Sequence, residues 1–119
     1  MKRLAHLVAG LTFAVPLAAS AQNLTCTPTA RFVCNAGGCQ ASQAATYVRI
    51  YPIAKAYERC DAKGCDRYPA TFAAAGQFTN IDLPGMSTFA KLGPNGFFSE
   101  AASSAMITIV TYGRCQETP

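Results

Sequence analysis

Six cysteines, six carboxylates and one histidine bound the chemistry open to this 119-residue chain. His6 falls in a segment expected to be removed, so no Ser-His or Cys-His pair and no histidine metal site can form in what remains. The carboxylates are Glu58, Asp61, Asp66, Asp82, Glu100 and Glu117. Glu58, Asp61 and Asp66 gather among Lys55, Arg59, Lys63 and Arg67. Two such carboxylates could serve as acid and base in glycoside hydrolysis. A solvated, charge-alternating hairpin accounts for the same residues more simply. A Ser-Lys dyad would have to join Lys91 to Ser87 or Ser99, and nothing in the local spacing demands it. The expectation is a protein that is not an enzyme and has no catalytic residue, no cofactor and no metal. A periplasmic hydrolase using the carboxylates of the Cys60-Cys65 hairpin is the second alternative.

The cysteines are patterned. Cys34-Asn35-Ala36-Gly37-Gly38-Cys39 is echoed by Cys60-Asp61-Ala62-Lys63-Gly64-Cys65, with Asn or Asp after the first cysteine and Gly before the second. These residues suit short hairpin loops. Cysteines flanking such a loop face each other within disulfide range. The spacing therefore pairs Cys34 with Cys39 and Cys60 with Cys65, leaving Cys26 and Cys115 to tie the two ends together. Loop entropy assigns roughly 2 kcal/mol to each small ring and roughly 4–5 kcal/mol to the long one. Four cysteines in two C-x4-C units also resemble a zinc site, but an oxidising compartment favours disulfides.

The compartment follows from the first 21 residues. Lys2 and Arg3 precede an apolar stretch from Leu4 to Val15, and Pro16 leads to Ala19-Ser20-Ala21, a small-residue cleavage site. Residues 1–21 read as a cleaved signal peptide, with Gln22 as the new N-terminus. The apolar run is too short to span a bilayer, so no membrane span is expected. The product is expected to be exported to the periplasm or beyond. Residues 22–119 then form one domain with room for a single core. Without Lys2 and Arg3, eight basic and six acidic residues bring the net charge from +4 to +2, too mild for nucleic acid.

Binding has more to work with than catalysis. Tyr47, Arg49, Tyr51, Lys55, Tyr57, Arg59, Lys63 and Arg67 concentrate cationic and aromatic side chains. Arginine beside an aromatic ring stacks on planar groups and grips anions. This cluster is the candidate binding surface, for an unknown protein or an anionic envelope glycan, on a chain expected to be monomeric. The turns Pro84 to Ser87 and Pro94 to Gly96 are the second candidate, although turn geometry alone explains them.

The elements that position these residues are short. Turn signals recur every 8 to 12 residues, the spacing of a small all-β domain. The pattern predicts about eight strands in a single antiparallel meander barrel stabilised by disulfides. Thr79, Ile81, Leu83, Thr88, Ala90 and Leu92 are predicted to face inward. Gly93-Pro94-Asn95-Gly96 is the strongest hairpin signal. Residues 53–59, 69–76 and 99–106 carry helical cues, but each is shorter than an isolated helix requires.

The Phe32-Val33-Cys34 start, the Tyr57-Glu58-Arg59-Cys60-Asp61 and Gly64-Cys65-Asp66 segment and the Gly113-Arg114-Cys115 finish resemble small cysteine-framed exported barrel proteins of Gram-negative bacteria. More distantly the layout is similar to the periplasmic C-type lysozyme inhibitors. That resemblance implies an eight-stranded antiparallel barrel that binds another protein. The inhibitors' Ser-Gly-x-x-Tyr motif is absent here, so no inhibitory residue is carried over. The function expected is that of a non-catalytic exported binding module, with lysozyme inhibition as the alternative.

Overall fold

The computed structural model describes residues 22–44 and 46–119; the expected leader lies outside them. Alternation of side chains builds ten strands. They are β1 (Leu24–Asn35), β2 (Gly38–Ser42), β3 (Tyr47–Tyr51), β4 (Ala56–Asp61), β5 (Gly64–Pro69), β6 (Thr71–Ala75), β7 (Phe78–Leu83), β8 (Thr88–Leu92), β9 (Phe97–Ser103) and β10 (Thr108–Glu117). In β3, Val48 and Ile50 are buried while Tyr47, Arg49 and Tyr51 lie on the other face. In β7 and β8, Ile81, Leu83, Thr88 and Ala90 are buried as predicted. Thr79 and Leu92, on the same face, are half-buried. The segments with helical cues are turn and strand: they fall in β4, β6 and β9 and their flanking turns, where the backbone hydrogen bonds go to neighbouring strands.

The hydrogen-bonded order is β5-β4-β3-β1-β10-β9-β8-β7-β6, with β2 attached to β1. Taken around a circle it is sequential except for β2. The result is a nearly closed antiparallel meander barrel of nine strands with one seam, between β5 and β6. The count exceeds the expected eight for two reasons. Of the ten strands, β2 is a return strand outside the nine-strand circle, and β5 and β6 are separated by a break at Ala70. There the chain turns inward: Ala70 is buried and donates its N–H to the Lys55 carbonyl at 3.0 Å.

First and last strands close the circle. β1 pairs with β10 along nearly its whole length, from Leu24↔Glu117 to Cys34↔Thr108. Its first residues also pair with β3, its last with β2. The switch comes at a bulge between Pro28 and Ala30, where Pro28 has no N–H to give the ladder. The extra residue reverses the alternation. Before it Cys26 faces the core; after it Phe32 shares the outer face with Val110. Gly113 lies opposite Pro28, where a Cβ would collide with the Thr27 carbonyl oxygen.

Tyr57, Phe98, Ile50, Ile81 and Leu83 are the largest fully buried side chains. The three disulfides are Cys26–Cys115, Cys34–Cys39 and Cys60–Cys65, each joining register partners on adjacent strands. At the β8–β9 turn, Asn95 and Gly96 both take positive φ, as the hairpin signal requires.

Candidate functional site

The structure divides the eight predicted binding residues among three places. Tyr47, Arg49, Tyr51 and Arg67 meet on the outer face of β3–β5. Register aligns Arg49, Glu58 and Arg67 in one row across the three strands, with Tyr47 and Tyr51 on either side of Arg49. The Arg67 guanidinium lies 4.8 Å above the Tyr51 ring and donates to Glu58 at 3.1 Å. Tyr51 donates its hydroxyl to the same carboxylate at 3.0 Å. The Arg49 guanidinium lies 5.5 Å above the Tyr47 ring, and its buried Nε has no acceptor among the described residues. Lys55 and Lys63 sit in the turns before and after β4, exposed.

Tyr57 and Arg59 are corrections to that surface. Alternate residues of a strand point to opposite faces, and both fall on the inner face of β4. Tyr57 is fully buried. Its hydroxyl donates to Glu100 Oε2, while Arg59 donates to both oxygens of the same carboxylate, at 3.0 Å to Oε1 and 3.3 Å to Oε2. Glu100 is on β9, so this bridge spans the lumen between opposite walls. Burial, with the Glu100 charge beside it, pushes the Tyr57 phenol well above the usual tyrosine range.

The carboxylates proposed for hydrolysis are also separated. Glu58 pairs with Arg67 and Arg59 with Asp66, which puts Glu58 and Asp66 on opposite faces. Asp61 accepts the Lys63 N–H at 2.8 Å and shapes the hairpin turn. One acidic group, Glu58, has its carboxylate within 4.8 Å of the Cys60 and Cys65 sulfurs. Those sulfurs are bonded to each other, so neither is a thiolate able to ligate zinc.

A second surface was missed in the sequence. On the outer face of β8–β10, the row Phe89, Ala101, Val110 runs on through Phe32 of β1 to Ala41 of β2. Phe89 is 57% exposed and Tyr112 44%. Phe78 and Phe97 extend the surface, their rings edge to face at 6.1 Å. Lys91 and Ser99, two members of the weighed dyad, are register partners here. The Lys91 ammonium lies 5.6 Å above the Phe78 ring. Alternation of Phe89 and Lys91 with the inward Thr88, Ala90 and Leu92 was the available signal. No family model, curated protein or solved structure matches the chain.

Proposed function

We propose that the protein is an exported, non-catalytic binding module of the periplasm or cell envelope, working through the outer aromatic face of β8–β10. Phe89 carries this reading. Its phenyl ring is more than half exposed at the start of a continuous apolar row, with Phe78, Phe97 and Tyr112 beside it. Single exposed phenyl groups are ordinary, but a contiguous aromatic patch marks surfaces that bury themselves against another protein. The three disulfides fit an oxidising compartment. In the test, the disulfide-bonded protein is used to retain partners from envelope extract. Retention that survives moderate salt and is lost in Phe89→Glu supports the reading; retention unchanged by Phe89→Glu overturns it. A lysozyme inhibition assay with the same pair of proteins examines the target class suggested by the resemblance.

The outer face of β3–β5 favours a second reading, an anionic glycan held by stacked arginines. Two Arg–Tyr stacks surround a row that carries two guanidinium groups against one carboxylate. Glycan affinity that falls steeply with salt and drops in an Arg49→Ala, Arg67→Ala double variant supports it. Salt-insensitive affinity unaffected by that variant removes it.

A further inference from the structure

At the end of the barrel where β1 begins and β10 finishes, the lumen opens into a pocket of about 730 Å³. We infer that this mouth is a binding site for a small amphiphile with an apolar body and an uncharged or cationic head. It opens at the end of the barrel, shares Phe97 alone with the outer aromatic residues named above, and does not depend on either outer face being used.

The pocket arises from the fold. An eight-stranded barrel is filled by its own side chains, while nine strands with an open seam leave a wider end. The large core residues Tyr57, Phe98 and Ile81 lie deeper. At the mouth the inward positions are Leu24, Phe72, Ala74, Thr79 and Leu92, which are half-buried or exposed. Ala74 is on β6, beside the seam, and its small side chain leaves space that a larger residue would fill. The size lies within the roughly 300–1,000 Å³ of small-molecule sites, which are mostly apolar with a few polar groups to orient the ligand.

The lining also sets the charge of the head. Glu117, near the end of β10, is the only ionisable side chain among the lining residues. Gln77 and Asn95, in the flanking turns, offer neutral amides. A carboxylate head would meet Glu117 unfavourably, a quaternary ammonium head favourably, and a hydroxyl without penalty. The apolar wall of Leu24, Phe72 and Leu92 takes the tail, with burial stabilising it by roughly 25 cal/mol per Å².

The experiment titrates the disulfide-bonded protein with Nile red, an uncharged dye that brightens in apolar surroundings. It then displaces the dye with decyltrimethylammonium or decanoate below their micellar concentrations. One dye per chain is expected, displaced more readily by the cation than by decanoate. Ala74→Trp, which fills the mouth without touching the core, should weaken dye binding at least about tenfold. Glu117→Gln should abolish the preference between the two competitors while keeping dye binding. Amide shifts of the unmodified protein with dye should centre on Leu24, Phe72, Thr79 and Leu92. Unchanged binding by a folded Ala74→Trp, or shifts centred on Phe89 and Tyr112, overturns the inference. The shift map decides the matter should Ala74→Trp fail to fold.

Discussion

Glu100 is the residue whose surroundings decide most. The residue is 9% exposed and its carboxylate sits inside an apolar lumen, a placement that is costly unless its oxygens find donors. Arg59 and Tyr57 supply those donors from the opposite wall. Removing one partner strands the charge, so Arg59→Met should destabilise the protein by about 2–4 kcal/mol in urea unfolding. Arg67→Met, which breaks an exposed outer pair with Glu58, should cost no more than about 1 kcal/mol. Equal losses would mean that the lumen bridge has no special weight. Tyr57 adds a pH signature. Its folded-state phenol titrates above the free value, so the stability it contributes is complete below about pH 10 and is lost as the pH climbs further. Between about pH 9 and pH 11, Tyr57→Phe should show the smaller loss of stability. The sequence concealed this trio because Tyr57-Glu58-Arg59-Cys60 has no apolar alternation to say which side chains turn inward. Residues of the right kind for an outer site were therefore grouped with two that face the core.

Among the elements, β1 has the most demanding task, since it pairs with three neighbours and changes the face it presents halfway along. The bulge after Pro28 makes the change, and Gly113 across the ladder makes room for it. A methyl group at Gly113 meets backbone rather than a side chain that can swing away. Gly113→Ala should therefore cost about 1–3 kcal/mol. Gly37→Ala, where the nearest neighbour is the Asn35 side chain, should cost less. Thermal unfolding of the two variants separates them, and an undisturbed Gly113→Ala would show that the strands part freely at this point. Most of the strands were legible, because Ile81, Leu83, Thr88 and Ala90 keep strict alternation between well-marked turns. The β5–β6 break was not. Pro69 directly before it fits a helix start as well as a strand end, and the inward turn of Ala70 is fixed by a hydrogen bond to Lys55 fifteen residues earlier. The aromatic face was obscured in part by Phe97-Phe98, two adjacent phenyl groups of which only the second is buried.

For the whole molecule, the decisive contact is the one farthest apart in sequence. The nine-stranded wall is continuous through its β1–β10 ladder, and the alternative route around the circle is interrupted at the seam. If β1 and β10 separate, the wall falls into two sheets, β1–β5 and β6–β10, with no strand ladder left between them. Cys26–Cys115 locks this ladder at Cα atoms 3.9 Å apart and 89 residues apart in sequence. The other two disulfides lock hairpins whose strands are already joined by short turns. Chain entropy makes the long bridge worth roughly 4–5 kcal/mol and each short one roughly 2 kcal/mol. Against a typical total of about 5–15 kcal/mol, only the long bridge is large enough to bring the fold near its limit. A Cys26→Ala, Cys115→Ala double variant should therefore lose more than twice the unfolding free energy lost by Cys34→Ala, Cys39→Ala. Its mouth pocket, lined by Leu24, Cys115 and Glu117 from the same two strands, should loosen at lower denaturant than the outer face of β3–β5. Urea unfolding followed by tyrosine fluorescence and amide exchange reads both quantities. If the two double variants unfold at the same denaturant concentration, the barrel is held by its hairpins, and closure between its first and last strands is not what keeps it folded.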